Sequence, residues 1–356
     1  MAKKNKTIWL EYFMVTKGIA GVGVYVKCLL DILHKIPGYN TSTFSSEFCE
    51  NQNKYIRGIL FFIWLNTVFY IKTLIKRPDV IIFPKHFMPF FKVHGVKYIA
   101  ILHDLSTINN LYNRSKIAVN ILRFYNYICV KRADVLVAVS ETTKKEIEDY
   151  YHYPIDKIKI IYNTIQPIFK QEVEEYNLAK YGIVKSNYLL SIATQNAHKN
   201  IPNLINAFNK ISKFYPDLKL VLIGKHGNDT NNFNKTNPNI IVTGYIDDKD
   251  IPFIYKNALL YIFPSLYEGF GIPILEAQYS GVPVLCSDIP IFHEVANNSA
   301  EFVQPNSDAI AEKIDLLLKN KQRLEELTKL GYENIQRFSE FVLKKQIIEA
   351  IENMDI

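Results

Sequence analysis

Short runs of β-branched and aromatic residues alternate with helix-length amphipathic stretches along the whole chain, and that rhythm leaves few architectures open. Strand, helix, strand is the repeating unit of a parallel sheet whose crossovers cover both faces. In the first half, strands are expected at Ile8–Val15, Val80–Pro84, Tyr98–His103, Val135–Ser140 and Ile158–Tyr162. Helices fall between them at Val24–Lys35, Tyr55–Lys76, Lys116–Arg132 and Glu141–Tyr151. The second half repeats the pattern, with strands at Tyr188–Ala193, Lys219–Gly224, Ile240–Tyr245, Leu259–Pro264, Val284–Ser287 and Glu301–Val303. Its helices are expected at Pro202–Phe214, Asp250–Lys256, Pro273–Ser280, Asp308–Asn320 and Gln322–Ile335. The rhythm lapses over residues 166–186, which read as a linker. The 356 residues therefore predict an α/β protein with two open parallel-sheet domains, 1–165 and 187–337, facing each other across a cleft. A final helix over 338–356 could join either domain and is assigned to pack back on the first. Open parallel sheets bind ligands beyond the C-terminal ends of their strands, so the chemistry is expected on loops that follow strands.

Four scattered cysteines, Cys28, Cys49, Cys129 and Cys286, have no CxxC spacing and indicate neither zinc nor a disulfide frame. The start, MAKKNKTIWLEYFMV, is basic but lacks a long apolar core and a small-residue cleavage site, so no secretory leader is expected and the chain reads as cytoplasmic. Charge is uneven: residues 1–165 carry 23 Lys/Arg against 12 Asp/Glu, and residues 166–356 carry 19 against 23. A basic half joined to an acidic half points to an anionic partner, nucleic acid or a membrane leaflet, or else to a biased solvated surface. No nucleic-acid recognition motif is present. The longest apolar run, Ile59–Ile71, has 13 residues and contains Asn66. A spanning helix needs about 20 residues, so this run is expected to be a buried helix, with a helix dipping into a membrane surface as the alternative.

The most informative stretch is FPSLYEGFGIPILEAQYSGVPVLCSD, residues 263–288. A buried strand ends in a loop holding Gly269 and Gly271, Pro273 suits the first turn of a helix, and Gly281 with Pro283 ends it. Glu268 then lies on the loop and Glu276 in the first helical turn. Exposed N–H groups and the helix dipole favour phosphate or polarised hydroxyls there, and the two carboxylates can accept bonds from sugar hydroxyls.

In this order the parts resemble the E-x7-E signature of the retaining glycosyltransferases of family 4, whose GT-B fold has two Rossmann-like domains. HDL at His103–Leu105, VSETTKKEI at Val139–Ile147, IIYNTI at Ile160–Ile165, HKNIPNLINAF at His198–Phe208 and GYI at Gly244–Ile246 follow in the family's order. The resemblance implies that the first domain lies on the acceptor side and the second binds a nucleotide-sugar donor. It implies that Glu276 holds the ribose hydroxyls and that Glu268 lies by the transferred sugar with the backbone of Phe270, Gly271 and Ile272 beside it. Lys199, expected just before a helix capped by Asn200, fits the family's lysine that neutralises the leaving diphosphate without a metal. The family's arginine five residues earlier is here Thr194, so Lys225 is a candidate for the second cation. Gly244, Tyr245 and Ile246 would shape the base and sugar pocket. His103 would contact the donor sugar, with Asp104 orienting its imidazole, and Gly21 and Gly23 before the first helix would let the backbone approach a phosphate or the acceptor.

The other motifs yield little. Gly21-Val22-Gly23 stops short of GxGxxG, because Val26 takes the last position, and no acidic residue follows at the spacing a dinucleotide site needs. Asp247-Asp248-Lys249-Asp250 reads as helix N-capping rather than a metal site, Ser140 as a helix cap rather than a nucleophile, and His86, His198 and His293 lack metal-ligand spacing. His293 is placed near the cleft without a role. The implied activity is metal-independent, retaining transfer of a hexose or deoxyhexose, mannose or rhamnose first, from a nucleoside diphosphate sugar. The acceptor would be a glycan or lipid-linked oligosaccharide in capsule or O-antigen assembly, with an anionic membrane surface as a further partner, no nucleic acid and no cofactor. The alternatives are an epimerase or hydrolase on the same fold, or a non-catalytic binding protein.

Overall fold

The computed structural model describes residues 5–13, 15, 21–53, 56–85, 87–106, 115–171, 178–183, 187–193, 196–224 and 237–352. The chain divides into two compact units, Met1–Thr164 with Ser339–Ile356, and Ile165–Phe338.

The first unit holds β1 (Lys6–Glu11), β2 (Tyr39–Phe44), β3 (Val80–Phe83), β4 (Lys97–Leu102), β5 (Val135–Ala138) and β6 (Ile158–Ile160) in one sheet of order β2-β1-β3-β4-β5-β6. Every neighbouring pair is parallel. The VIIF and VLVA strands are buried along their whole length, as strands covered on both faces must be. Strand β2, YNTSTF, was not expected; it is a half-exposed edge, and an edge strand need not be apolar. The helices are α1 (Gly21–His34), α2 (Glu47–Glu50), α3 (Arg57–Asn66), α4 (Val68–Lys76), α5 (Lys116–Arg132) and α6 (Glu141–Tyr151). Ser140 does cap α6, its hydroxyl accepting from Thr143 N at 3.0 Å. The C-terminal helix, Glu340–Glu352, packs on α1 and β6 and is tied there by Lys35 to Glu340 at 3.2 Å and Tyr162 N to Gln346 at 3.1 Å.

The stretch read as one helix over 55–76 breaks at Thr67, whose φ of −122° and ψ of −85° leave the helical region. Asn66 accounts for the polar interruption: its amide donates to Phe62 O at 2.8 Å and its oxygen accepts from Phe90 N at 2.7 Å. Expected burial of Ile59–Ile71 holds on one side only. Phe61, Leu65, Phe69 and Thr73, four residues apart, face the core, where Phe61 stacks on Phe13 and Phe69 on Phe44 at centroid distances of 3.7 and 4.2 Å. On the other side Ile59, Ile63, Ile71 and Ile75 are 55, 51, 56 and 73% exposed. Arg57–Lys76 is 20 residues long and apolar enough to cross a bilayer by composition, yet Phe61, Leu65 and Phe69 belong to the unit's core.

The second unit holds β7 (Tyr188–Ile192), β8 (Lys219–Ile223), β9 (Ile240–Gly244), β10 (Leu260–Phe263), β11 (Val284–Ser287) and β12 (Glu301–Val303), in the order β12-β11-β10-β7-β8-β9 with parallel ladders throughout. Its helices are α7 (Ile201–Ile211), α8 (Ile251–Lys256), α9 (Ile272–Tyr279), α10 (Pro290–Ala296), α11 (Ser307–Lys319) and α12 (Lys321–Asn334). Leu204 and Phe208 of α7 meet Ile310 and Ile314 of α11 over the apolar strands. Helix α10, two turns opened by Pro290, had no periodicity long enough to predict it.

The described parts of the 166–186 stretch are packed rather than loose. Phe169 lies against Tyr255 at 5.4 Å, and Lys180 Nζ and Tyr181 OH reach Asp250 Oδ2 at 2.5 and 2.6 Å. Asp250 therefore anchors this stretch instead of capping a helix; neither it nor Asp247 makes a side-chain cap bond. Burial opposes the Asp250 charge, but the Lys180 and Tyr181 bonds win and hold its carboxyl below the usual carboxylate range.

Candidate functional site

In an open parallel sheet the ligand crevice lies where the strand order reverses, beyond the C-terminal ends of the two strands involved. For the second sheet those strands are β7 and β10. The loop after β7 tightens into a single 3-10 turn, Ala197–Lys199, and the loop after β10 runs from Pro264 to Gly271. Leu266 N donates to His198 O at 2.7 Å and joins the two loops. Here Lys199 Nζ meets Glu268 Oε1 at 2.5 Å, with both side chains 15% exposed, and the ammonium lies 5.0 Å from the Phe263 ring centroid. A paired, largely dehydrated ammonium at a strand-order reversal can exchange its carboxylate for an incoming anion. Asn200 does not cap α7 as expected: it sits in the left-handed region at φ 56°, and its side chain bonds Pro305 O and Asn203 instead.

Helix α9 starts at Ile272 behind Gly271, whose φ of 118° and 3.2 Å clearance between an added Cβ and the Phe292 ring both call for glycine. Phe270 is buried against Phe338 at 5.5 Å, and Ile272 is half-buried. Glu276 falls in the second helical turn, not the first. It is 3% exposed, and its oxygens accept from Gln166 Nε2 at 2.6 Å and Tyr255 OH at 3.2 Å. Burial pushes its carboxyl up to about 7 against the lowering effect of those two bonds. Each carboxylate oxygen has a second lone pair, so a diol can still be received. Gln166 and Tyr255 were not foreseen, since they reach Glu276 from 110 and 21 residues away.

Gly244 ends β9 at φ 70° and accepts from Gly224 N at 3.1 Å; Tyr245 is 71% exposed and Ile246 is buried. Gly224 has φ 123°, and a Cβ there would come within 2.2 Å of Ala193 O, so only glycine lets β7 and β8 end side by side. Thr194 and Lys225 lie outside the described residues, as does His86.

In the first unit the strand order reverses between β1 and β3. Gly21 and Gly23 are the first and third residues of α1 rather than a turn ahead of it, and among the described residues nothing lies within 4 Å of a Cβ at Gly21. His103 follows β4; its Nε2 faces Pro84 O at 2.8 Å, and its ring meets Tyr25 edge-on at 4.8 Å. Asp104 does not orient the imidazole: its Oδ1 accepts from Ser106 N at 3.0 Å and from the Ser106 hydroxyl, closing a turn. The reversal itself is occupied by a group absent from the expectations. Glu11 ends β1 fully buried, beside Lys85 just past β3. Burial raises the Glu11 carboxyl to about 7, opposed by the Lys85 charge and the Phe13 N–H, while burial lowers the Lys85 amine. Their 74-residue separation hid the pair, which exists only because β1 and β3 are neighbours.

His293 pairs with Asp288 at 2.6 Å and stacks on Phe302 at 3.9 Å. No group of three or more His, Cys, Asp and Glu able to hold a metal occurs among the described residues.

Comparison with known proteins bears on the family and the fold. Residues 44–167 match the family described as Glycosyltransferase Family 4, and residues 174–337 match Glycosyl transferases group 1. The chain is 32% identical over 197 residues to the O-antigen chain mannosyltransferase RfbU of Salmonella typhimurium, covering 52% of this chain and 51% of that one. It is 31% identical over 225 residues to O-antigen chain mannosyltransferase B of Escherichia coli, covering 58% and 57%. The chain thus spans about half the length of these curated relatives. In fold it is similar to a sucrose-phosphate synthase from Thermosynechococcus elongatus, at a TM-score of 0.77 and 15% identity over 98% of this chain and 99% of that one. With its two α/β units matched in order, the chain belongs to the group 1, family 4 glycosyltransferases of GT-B fold.

Proposed function

We propose that this protein transfers a hexose or deoxyhexose from a nucleoside diphosphate sugar to a glycan or lipid-linked oligosaccharide during assembly of a bacterial-type surface polysaccharide. The observation that carries this reading is the Lys199–Glu268 pair at the β7–β10 reversal, on a loop that leads into α9 and Glu276. Mannose is the first donor sugar, in keeping with the O-antigen mannosyltransferases to which the chain is similar, and rhamnose the second.

Departure of a nucleoside diphosphate builds negative charge on the β-phosphate oxygen, and a preorganised cation aimed at that oxygen lowers the barrier. Lys199 is that cation. As the diphosphate takes the ammonium, Glu268 is released to accept hydrogen bonds from the sugar hydroxyls, so one exchange serves both ends of the donor. Glu276, steadied by Gln166 and Tyr255, accepts from the ribose hydroxyls. Backbone N–H groups at the start of α9 and the helix dipole add to the anion site. Lys199 supplies the charge that a metal would otherwise bring, so the reaction is metal-independent. The acceptor hydroxyl attacks the anomeric carbon from the face the phosphate leaves, passes its proton to the departing phosphate oxygen, and the configuration is retained.

The test is release of nucleoside diphosphate from mannosyl and rhamnosyl donors on each base, with and without a polyprenyl-linked oligosaccharide acceptor and with EDTA. Acceptor-dependent release with an α-linked product from an α-linked donor, unaffected by EDTA, is the expected result. Release without acceptor would assign a hydrolase instead, and epimerised donor an epimerase.

A further inference from the structure

The outer side of α3 and α4 is largely apolar. Helices that pack one side on a core ordinarily turn charged and polar residues to water on the other. Here Ile63, Ile71 and Ile75 are more than half exposed opposite the buried Phe61, Leu65 and Phe69. The apolar surface does not stop at these helices. Phe90 bridges Phe62 at 4.8 Å and Phe124 of α5 at 5.7 Å, and Tyr70 meets Phe91, itself 63% exposed, at 6.4 Å. Along α5, Ile117 and Phe124 are 74% and 49% exposed two turns apart. The Asn66 bond to Phe90 N pins the loop to α3, so the three pieces form one surface. An apolar patch of this extent marks a contact with something other than water.

Charge selects the partner. Residues 56–78, 87–98 and 115–133, which build the surface, carry ten Lys/Arg and no Asp/Glu. Lys72 and Lys76 on α4, Arg77 just past its end, and Lys116, Lys131 and Arg132 on α5 are exposed. A second copy of the chain would set these exposed cations against their own counterparts, which repels; Lys92 is not among them, being paired with Asp134 at 2.5 Å. An apolar patch bordered by lysine and arginine fits a lipid–water interface, where side chains enter the acyl boundary and the cations meet anionic headgroups.

We propose that the α3–α4–α5 face of the first unit seats this protein on an anionic lipid bilayer, with the helices in the plane of the interface rather than across it. In-plane seating is required because Phe61, Leu65 and Phe69 remain in the core of the unit. The inference stands on this surface alone and does not depend on the donor chemistry.

Flotation of the full chain with vesicles tests it, using phosphatidylcholine alone and phosphatidylcholine with about a third phosphatidylglycerol, at low and high salt. Strong binding to the anionic vesicles, weak binding to the neutral ones and loss with salt are expected. Ile71→Asp with Ile75→Asp, at exposed positions, should weaken the partition coefficient at least tenfold while leaving the melting temperature and its shift by nucleoside diphosphate unchanged. Phe214→Asp, on the second unit's surface, should leave it unaltered. The proposal is overturned if the full chain fails to float with anionic vesicles at low salt, or if the paired variant floats as the parent does. It is also overturned if the Ile pair proves to govern self-association instead, or if flotation needs native membranes and fails with pure lipid, which would assign the face to a second copy or to a membrane protein.

Discussion

The two units share an architecture of six parallel strands with a single reversal of order, yet they place their charges differently. At the second unit's reversal, Lys199 and Glu268 sit on loops, paired and reachable. At the first unit's reversal, Glu11 is sealed beside Lys85. Their outer surfaces differ in the same sense. Among the described residues, sixteen of the large apolar side chains left exposed lie in the first unit and five in the second. The same sheet topology thus carries a reachable lysine–glutamate pair in one unit and an exposed apolar face in the other, because topology fixes where loops emerge but not what they carry.

The largest contrast should come from Lys199→Ala. It removes the cation proposed to neutralise the leaving group and is expected to lower transfer by about 10²- to 10³-fold, in line with loss of one preorganised donor. Turnover with saturating donor checks this, and the melting temperature should also fall, because Glu268 is left largely dehydrated without its partner.

Next come the glycines. Gly224→Ala drives a Cβ into Ala193 O at 2.2 Å with φ at 123°, so a loss of about 3 kcal/mol is expected from backbone strain. Gly21→Ala meets nothing among the described residues and should change stability by less than about 0.5 kcal/mol. Urea unfolding of both variants would sharpen or break the claim that the second unit's crevice is the tightly constrained one.

Glu11 predicts a pH signature for the first unit. Its carboxyl is raised from 4.5 to about 7 in the folded state, mainly by burial. Below pH 4.5 both states hold the proton; between 4.5 and 7 the folded state holds it more tightly, so stability falls as pH rises through that window and levels off above it. Glu11→Gln should remove up to about 3 kcal/mol of that slope, measured by unfolding at pH 5 and pH 8. Glu276, raised to about 7 as well, gives the second unit a functional counterpart. Because the ionised carboxylate is the better acceptor for a diol, nucleoside diphosphate affinity should drop by about tenfold from pH 8 to pH 6, and Glu276→Gln should flatten that dependence. Isothermal titration at the two pH values reads it.

Much of this contrast was legible in the sequence, and the missing parts share a cause. Helices α5 and α6 and strands β11 and β12 follow from unbroken periodicity, and Gly271, Pro273 and the spacing of Glu268 and Glu276 announce the loop and helix of the second crevice. Strand β2 escaped because an exposed edge need not be apolar, and α10 because two turns carry too little period. Ile59–Ile71 was read as buried because composition shows that a helix is apolar all round, not how many sides the rest of the fold can cover. Gln166, Tyr255 and the Glu11–Lys85 pair became visible only once strand order set distant residues side by side.

The most direct test of the central claim is calorimetric titration of UDP, GDP, dTDP and CDP into the parent protein, Lys199→Ala and Glu11→Gln. The account predicts that one diphosphate binds the parent, that Lys199→Ala weakens it by tenfold or more, and that Glu11→Gln binds it as the parent does. Undiminished binding by Lys199→Ala, with loss in Glu11→Gln, would move the anion site to the first unit and contradict the account.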